Sequence, residues 1–193
     1  MCSPLRRCLQ TARRVLDTQK LKQNGVNLIV FPQIREGLSS QCDFPGFIRE
    51  SIKEFSEFDF SNINESLEKY GSFFIADYLD NKKAQAELKE LSKKVTLQCD
   101  HSQVAQLCID LLKKGHLSGD YVENRVHMYT RVQRFKKFVK NFIEEKQIKD
   151  GELIIVAHSN FSRAWTAKDI DTKKLDFIDC YSPKNGEIFE SEI

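Results

Sequence analysis

Two short apolar runs rich in β-branched residues constrain this chain most: "VNLIVF" at 26–31 and "ELIIVA" at 152–157. Both are shorter than an ordinary helix. Pro32 closes the first, and Gly151 stands before the second. Their hydrophobicity is continuous rather than alternating, which suits strands covered on both faces. Around them lie amphipathic stretches. Ser3-Pro4 reads as the N-cap and first residue of a helix, with Leu5, Cys8, Leu9, Ala12, Val15 and Leu16 at helical spacing. Helices are also expected over 82–95 and 103–114, and in a long segment capped by Asp120 with Glu123 in a capping box. Residues 47–72 read as loop plus a short helix. "LDFIDCYSPKNGEIFES" reads as two strands joined through Asn185-Gly186. Helix–strand–helix–strand order predicts an α/β fold, a layered and mostly parallel sheet flanked by helices.

A chain of 193 residues, 40% apolar and 30% charged, has enough apolar side chains for one globular domain over 1–193 and is not disordered in composition. The net charge of +2 gives no general reason to bind nucleic acid. The apolar runs are too short to span a bilayer, so no membrane is expected. No apolar stretch follows the N-terminal charges, so no secretory signal is read. Six cysteines lack CxxC or zinc spacing, which leaves no metal site and suggests reduced, mostly buried thiols in a cytoplasmic setting. An alternative address comes from residues 1–16. They are Arg-rich, amphipathic and acid-poor, as mitochondrial leaders are.

Three positions carry candidate chemistry. His158 follows the last apolar residue of its run, where α/β folds bind ligands, and Ser159-Asn160 after it offer backbone N–H groups to an anion. Arg7 lies in a first helical turn, beside the positive end of the dipole, as a phosphate clamp would. Glu36 lies in the loop after "VNLIVF", placed to protonate a leaving oxygen. Taken singly, each also reads as something plainer: a hydrogen-bonded strand-end histidine, a solvated arginine, one Glu in a polar loop. Arg13 and Arg14 read as surface charge.

Taken together, "SPLRRCLQTA", "IREGLSSQCD" and "IIVAHSNFSRA" resemble, in the right order, three motifs of the histidine phosphatase (phosphoglycerate mutase-like) superfamily. "ENRVHMYTRVQRFKKFVKNFI" and "DFIDCYSPKNGEI" resemble further parts of it. The resemblance implies phosphomonoester hydrolysis without metal or cofactor, through a phosphohistidine. It casts Arg7 as a phosphate clamp, with Ser159 and Asn160 beside it. His158 becomes the second, phosphate-binding histidine and Glu36 the proton donor. The implied partner is a small phosphorylated substrate, with 59–120 as a helical lid. Cys8 replaces the family's usual Ala, and Asn160 its usual Gly. The family's nucleophile, in an R-H-G motif after the first strand, has no counterpart here. The expectation is therefore a fold incomplete at its N-terminus, with an unpaired edge at "LIIVA" and no turnover as the chain stands. A non-catalytic phosphate-binding module is the alternative function. Oligomeric state and substrate identity are not legible.

Overall fold

The computed structural model describes residues 1–38, 40–44, 48–70, 75, 77, 82–94, 106, 110, 123–148 and 151–191. The helices are α1 (Arg6–Leu16), α2 (Thr18–Gln23), α3 (Ile48–Glu54), α4 (Ser61–Tyr70), α5 (Lys82–Lys94), α6 (Arg125–Glu145) and α7 (Ser159–Thr166). Two 3-10 turns occupy Pro32–Ile34 and Gln41–Asp43. The described residues hold one sheet, two short antiparallel strands, β1 (Asp169–Asp171) and β2 (Asp176–Ile178).

The layered parallel α/β sheet expected from the sequence is therefore not what forms; the described structure is mostly helical. The two apolar runs are extended but meet their neighbours through single parallel bridges, Cys2 with both Val30 and Val156, and Ile29 with Asp59. The cause is local. Residues 1–3 lie between the runs, with Cys2 N–H bonded to the Ile29 carbonyl and Ser3 N–H to the Val156 carbonyl. Pro4 then removes the next donor and Arg6 starts a helix, so the ladder stops after one residue. On the far side Asp59 is the single contact before Ser61 opens α4.

Alternation along these extended pieces still sorts the interior. Cys2, Val30 and Val156 face a core formed with Cys8, Leu9 and Ala12 of α1, Phe55, Ile63 of α4 and Leu88 of α5. Met1, Ile29, Phe31, Leu153, Ile155 and Ala157 face the other, with Val132, Phe135 and Val139 of α6, Phe161 and Trp165 of α7, and Phe177 of β2. Aromatic rings dominate the second core: Phe135 touches Phe31, Phe161 and Trp165 at centroid separations of 5.4, 6.3 and 6.4 Å. Ile154 remains 46% exposed.

Several local expectations shift. Helix α1 starts at Arg6 rather than Pro4, with Leu5 as its N-cap, while the Ser3 hydroxyl accepts from Leu5 N–H at 3.3 Å and meets His158. Helix α6 is capped by Asn124, whose side chain accepts from His127 N–H at 2.9 Å. Asp120 and the expected helix at 103–114 lie outside the described residues, Gln106 and Asp110 excepted. So does most of 71–81 and of 95–120 in the expected lid. Asn185-Gly186 forms a turn, with Gly186 at φ 75°, but no paired strands flank it. The hairpin lies earlier, at β1–β2. Arg13 is not surface decoration: it forks onto Glu57 at 2.7 and 2.8 Å and covers the Phe55 ring at 4.2 Å. Of the cysteines described, Cys2 and Cys8 are buried, Cys42 is exposed, and all are unpaired. Cys99 and Cys108 fall outside the described residues.

Candidate functional site

Three side chains from one short stretch, Ser3, Arg7 and Cys8, converge on His158. The residue is the N-cap of α7, with φ −124° and ψ 160°, so its ring leaves the helix axis and turns back toward α1. Ser3 and Cys8 meet one side of the ring: Ser3 Oγ at 2.8 Å and Cys8 Sγ at 3.3 Å from Nε2. Arg7 meets the other, with Nε donating to Nδ1 at 3.3 Å. Because a guanidinium donates only, Nδ1 must be the bare nitrogen and Nε2 carries the proton. The Nε2–H then donates to the Ser3 hydroxyl, so His158 does not act as a base toward Ser3. The Cys8 thiol donates to the Ala157 carbonyl at 3.2 Å.

Arg7 ties this pocket to the loop after Pro32. One Nη donates to the Cys42 carbonyl at 2.6 Å and the other to Asp43 Oδ1 at 3.2 Å. Each terminal nitrogen carries a second proton, and the Arg7 side chain is 44% exposed. One proton on each terminal nitrogen is therefore outside these contacts, on a side chain partly open to solvent. Asp43 itself is buried and receives Ser40 N–H and Oγ, so it is a fixed anchor.

Glu36 stands on the same rim. Its Oε1 accepts Gly37 N–H at 2.9 Å, and the Asn160 side chain is a second hydrogen-bond partner. Burial pushes the Glu36 carboxyl above its ordinary range. Asp43 adds to this, while Gly37, Asn160 and Arg7 pull the other way. Burial, aided by the positive charge of Arg7, holds His158 down at about 3, so the ring is neutral near pH 7. Burial also pushes the Cys8 thiol up to about 12, which makes it an inert filler rather than a nucleophile.

The sequence-derived residues thus occupy one neighbourhood. Arg7 and His158 touch, Asn160 bonds Glu36, and Ser159 is exposed at the first turn of α7. Sequence reasoning passed over Ser3 and Asp43 as ring and guanidinium anchors. It also passed over a buried Arg35–Glu123–Arg131 cluster behind Glu36. Glu123 had a signal, acid after a polar loop, but it reads equally as a helix cap. The described residues contain no group of His, Cys, Asp and Glu side chains able to hold a metal ion, and no helix among them is long and apolar enough to cross a membrane.

No family model matches the chain, and neither a curated protein nor a solved structure matches it.

Proposed function

We propose that this chain binds phosphate or a small phosphate monoester at Arg7, beside His158 and Glu36, and that it does so without turning the ester over. The observation that carries the reading is Arg7: docked on His158, Cys42 and Asp43, it is 44% exposed and has a proton on each terminal nitrogen outside those contacts. Held this way, a guanidinium offers two donors to two oxygens of one phosphate at little further ordering cost. A neutral His158 holds Arg7 from behind without adding a buried charge. The first-turn N–H groups at Ser159 and Asn160 add to the anion's environment. A Glu36 carboxyl that keeps its proton longer than usual suits hydrogen bonding to an ester oxygen.

Histidine phosphatase chemistry, a hydrolysis through phosphohistidine, is the activity that the motif resemblance suggests for this site. The second nitrogen of His158 is engaged by Ser3, and Cys8 is held protonated, so neither serves as a nucleophile here. Unpaired thiols at Cys2, Cys8, Cys42 and Cys180 suit a reducing compartment such as the cytoplasm.

Titration of residues 1–193 with orthophosphate tests the reading. Binding in the wild type that is lost in Arg7→Ala supports it. Equal binding by both chains overturns it. Sustained p-nitrophenyl phosphate hydrolysis that disappears in His158→Ala would overturn the absence of turnover.

A further inference from the structure

Behind Glu36 lies a charged cluster that the phosphate site does not use directly. Arg35 grips Glu123 through contacts of 2.5 and 3.0 Å, and Arg131 of α6 grips the same carboxylate at 2.8 and 3.0 Å. Arg35, Glu123 and Arg131 are 0%, 5% and 4% exposed. Further contacts go to loop backbone, while the buried Arg35 Nε has no partner among the described residues. Arg131 Nη1 donates to the carbonyls of Gln33 and Arg35, the latter at 3.2 Å. Arg35 Nη1 donates to the Glu36 carbonyl at 2.9 Å. The backbone on both sides of Glu36 is thus held by side chains, just after the Pro32–Ile34 3-10 turn, where no α-helix or strand holds it.

Stability alone does not call for this arrangement. Buried ion triads are often replaceable by apolar side chains of similar volume without loss. Apolar side chains would not, however, hold three loop carbonyls in place.

We infer that Arg131 and Glu123 are positioning residues for Glu36: through Arg35 and the Gln33–Glu36 carbonyls they hold the carboxyl turned in against Asn160 at the phosphate site. The inference rests on the phosphate-binding reading, which gives Glu36 its task. The charged and polar groups facing Glu36 are Gly37 N–H of its own loop, Arg7 and Cys8 of α1, Asp43 of the 3-10 turn, Asn160 of α7 and Arg131 of α6.

The test is a carboxyl ¹³C NMR titration of the full chain, with the Glu36 signal assigned through Glu36→Gln. In Arg131→Lys the positive charge stays, but an ammonium cannot fork onto Glu123 and reach both carbonyls. The Glu36 midpoint is expected to fall from its raised position toward the ordinary glutamate range as the carboxyl swings to water. A variant that melts earlier yet leaves the Glu36 midpoint unchanged overturns the positioning role. Should Arg131→Lys not fold, Arg35→Lys reads the same midpoint. Orthophosphate titration separates this inference from its premise. A wild type that binds, an Arg7→Ala chain that does not, and an unmoved Glu36 in Arg131→Lys sink the positioning role alone. A wild type that does not bind orthophosphate sinks both.

Discussion

Arg131 and Arg7 each hold an acid, yet they are held in opposite ways. Arg131 is buried, grips Glu123 with two prongs, and directs its last nitrogen at loop carbonyls. Arg7 is nearly half exposed, touches Asp43 with one nitrogen, and has protons outside its described contacts. A fully engaged guanidinium holds structure and has little left for a ligand. A partly engaged one is oriented in advance and still able to bind. The two clusters sit on either side of Glu36, one fixing its backbone and the other completing the rim.

The comparison breaks most visibly at the buried end. Glu123→Ala leaves two buried guanidiniums without their carboxylate and is expected to cost about 3–5 kcal/mol, read as a lower urea midpoint. A loss below about 1 kcal/mol would mean that water already reaches the cluster. Acid gives the next effect. Unfolded His158 takes up a proton near its ordinary 6.5, whereas the folded ring waits until about 3. Between those values the unfolded state binds more protons, so stability falls as pH drops from 6.5 toward 3 and is whole above 6.5. Glu123, held down at about 2 against an ordinary 4.5, adds a second loss at lower pH in the same direction. Glu36 works oppositely, since its raised folded pKa favours the folded state on acidification. His158→Asn is therefore expected to remove about 3 kcal/mol of the stability difference between pH 7 and pH 4.5. Urea midpoints at the two pH values measure it.

The exposed end sharpens the contrast. Arg7→Ala is expected to change stability by less than about 1 kcal/mol, because the Arg7 end of its ion pair is 44% exposed and Ser40 still holds the buried Asp43, while abolishing orthophosphate binding. A large stability loss would place Arg7 among the structural ions with Arg131. The smallest effect belongs to Lys168, whose pair with Asp179 at 3.4 Å is exposed on both sides. Lys168→Ala is expected to leave both the urea midpoint and phosphate binding unchanged.

The site was more legible than the fold. Arg7, Glu36, Ser159, Asn160 and His158 each sit beside a short local signal: a helix start, a loop after an apolar run, a His after the last apolar residue. Local rules hold across the few residues that such a signal spans. The sheet was misread because an apolar, β-branched run reports only that a segment is extended and covered. Whether it joins a ladder depends on how many partner residues lie alongside, and here Pro4 and the start of α1 cut the pairing to Cys2. Glu123 shows the same limit from the polar side. Its spacing from Asp120 fits a capping box, yet its carboxylate goes to Arg35 and Arg131, partners 88 and 8 positions away.

What the sequence determined by itself was therefore local: the amphipathic faces of α1, α5 and α6, the extended runs at 26–31 and 152–157, and the alternation that sends Val30 to one core and Phe31 to the other. Only the tertiary structure decided that Ser3, Arg7 and Cys8 close around His158 from 150 or more positions away. It also decided that Arg131, a helix residue with no local mark, reaches the backbone beside Glu36. Helical spacing and apolar runs are properties of neighbours along the chain. A buried charge finds its partner only after the two cores have brought α1, α6 and α7 together.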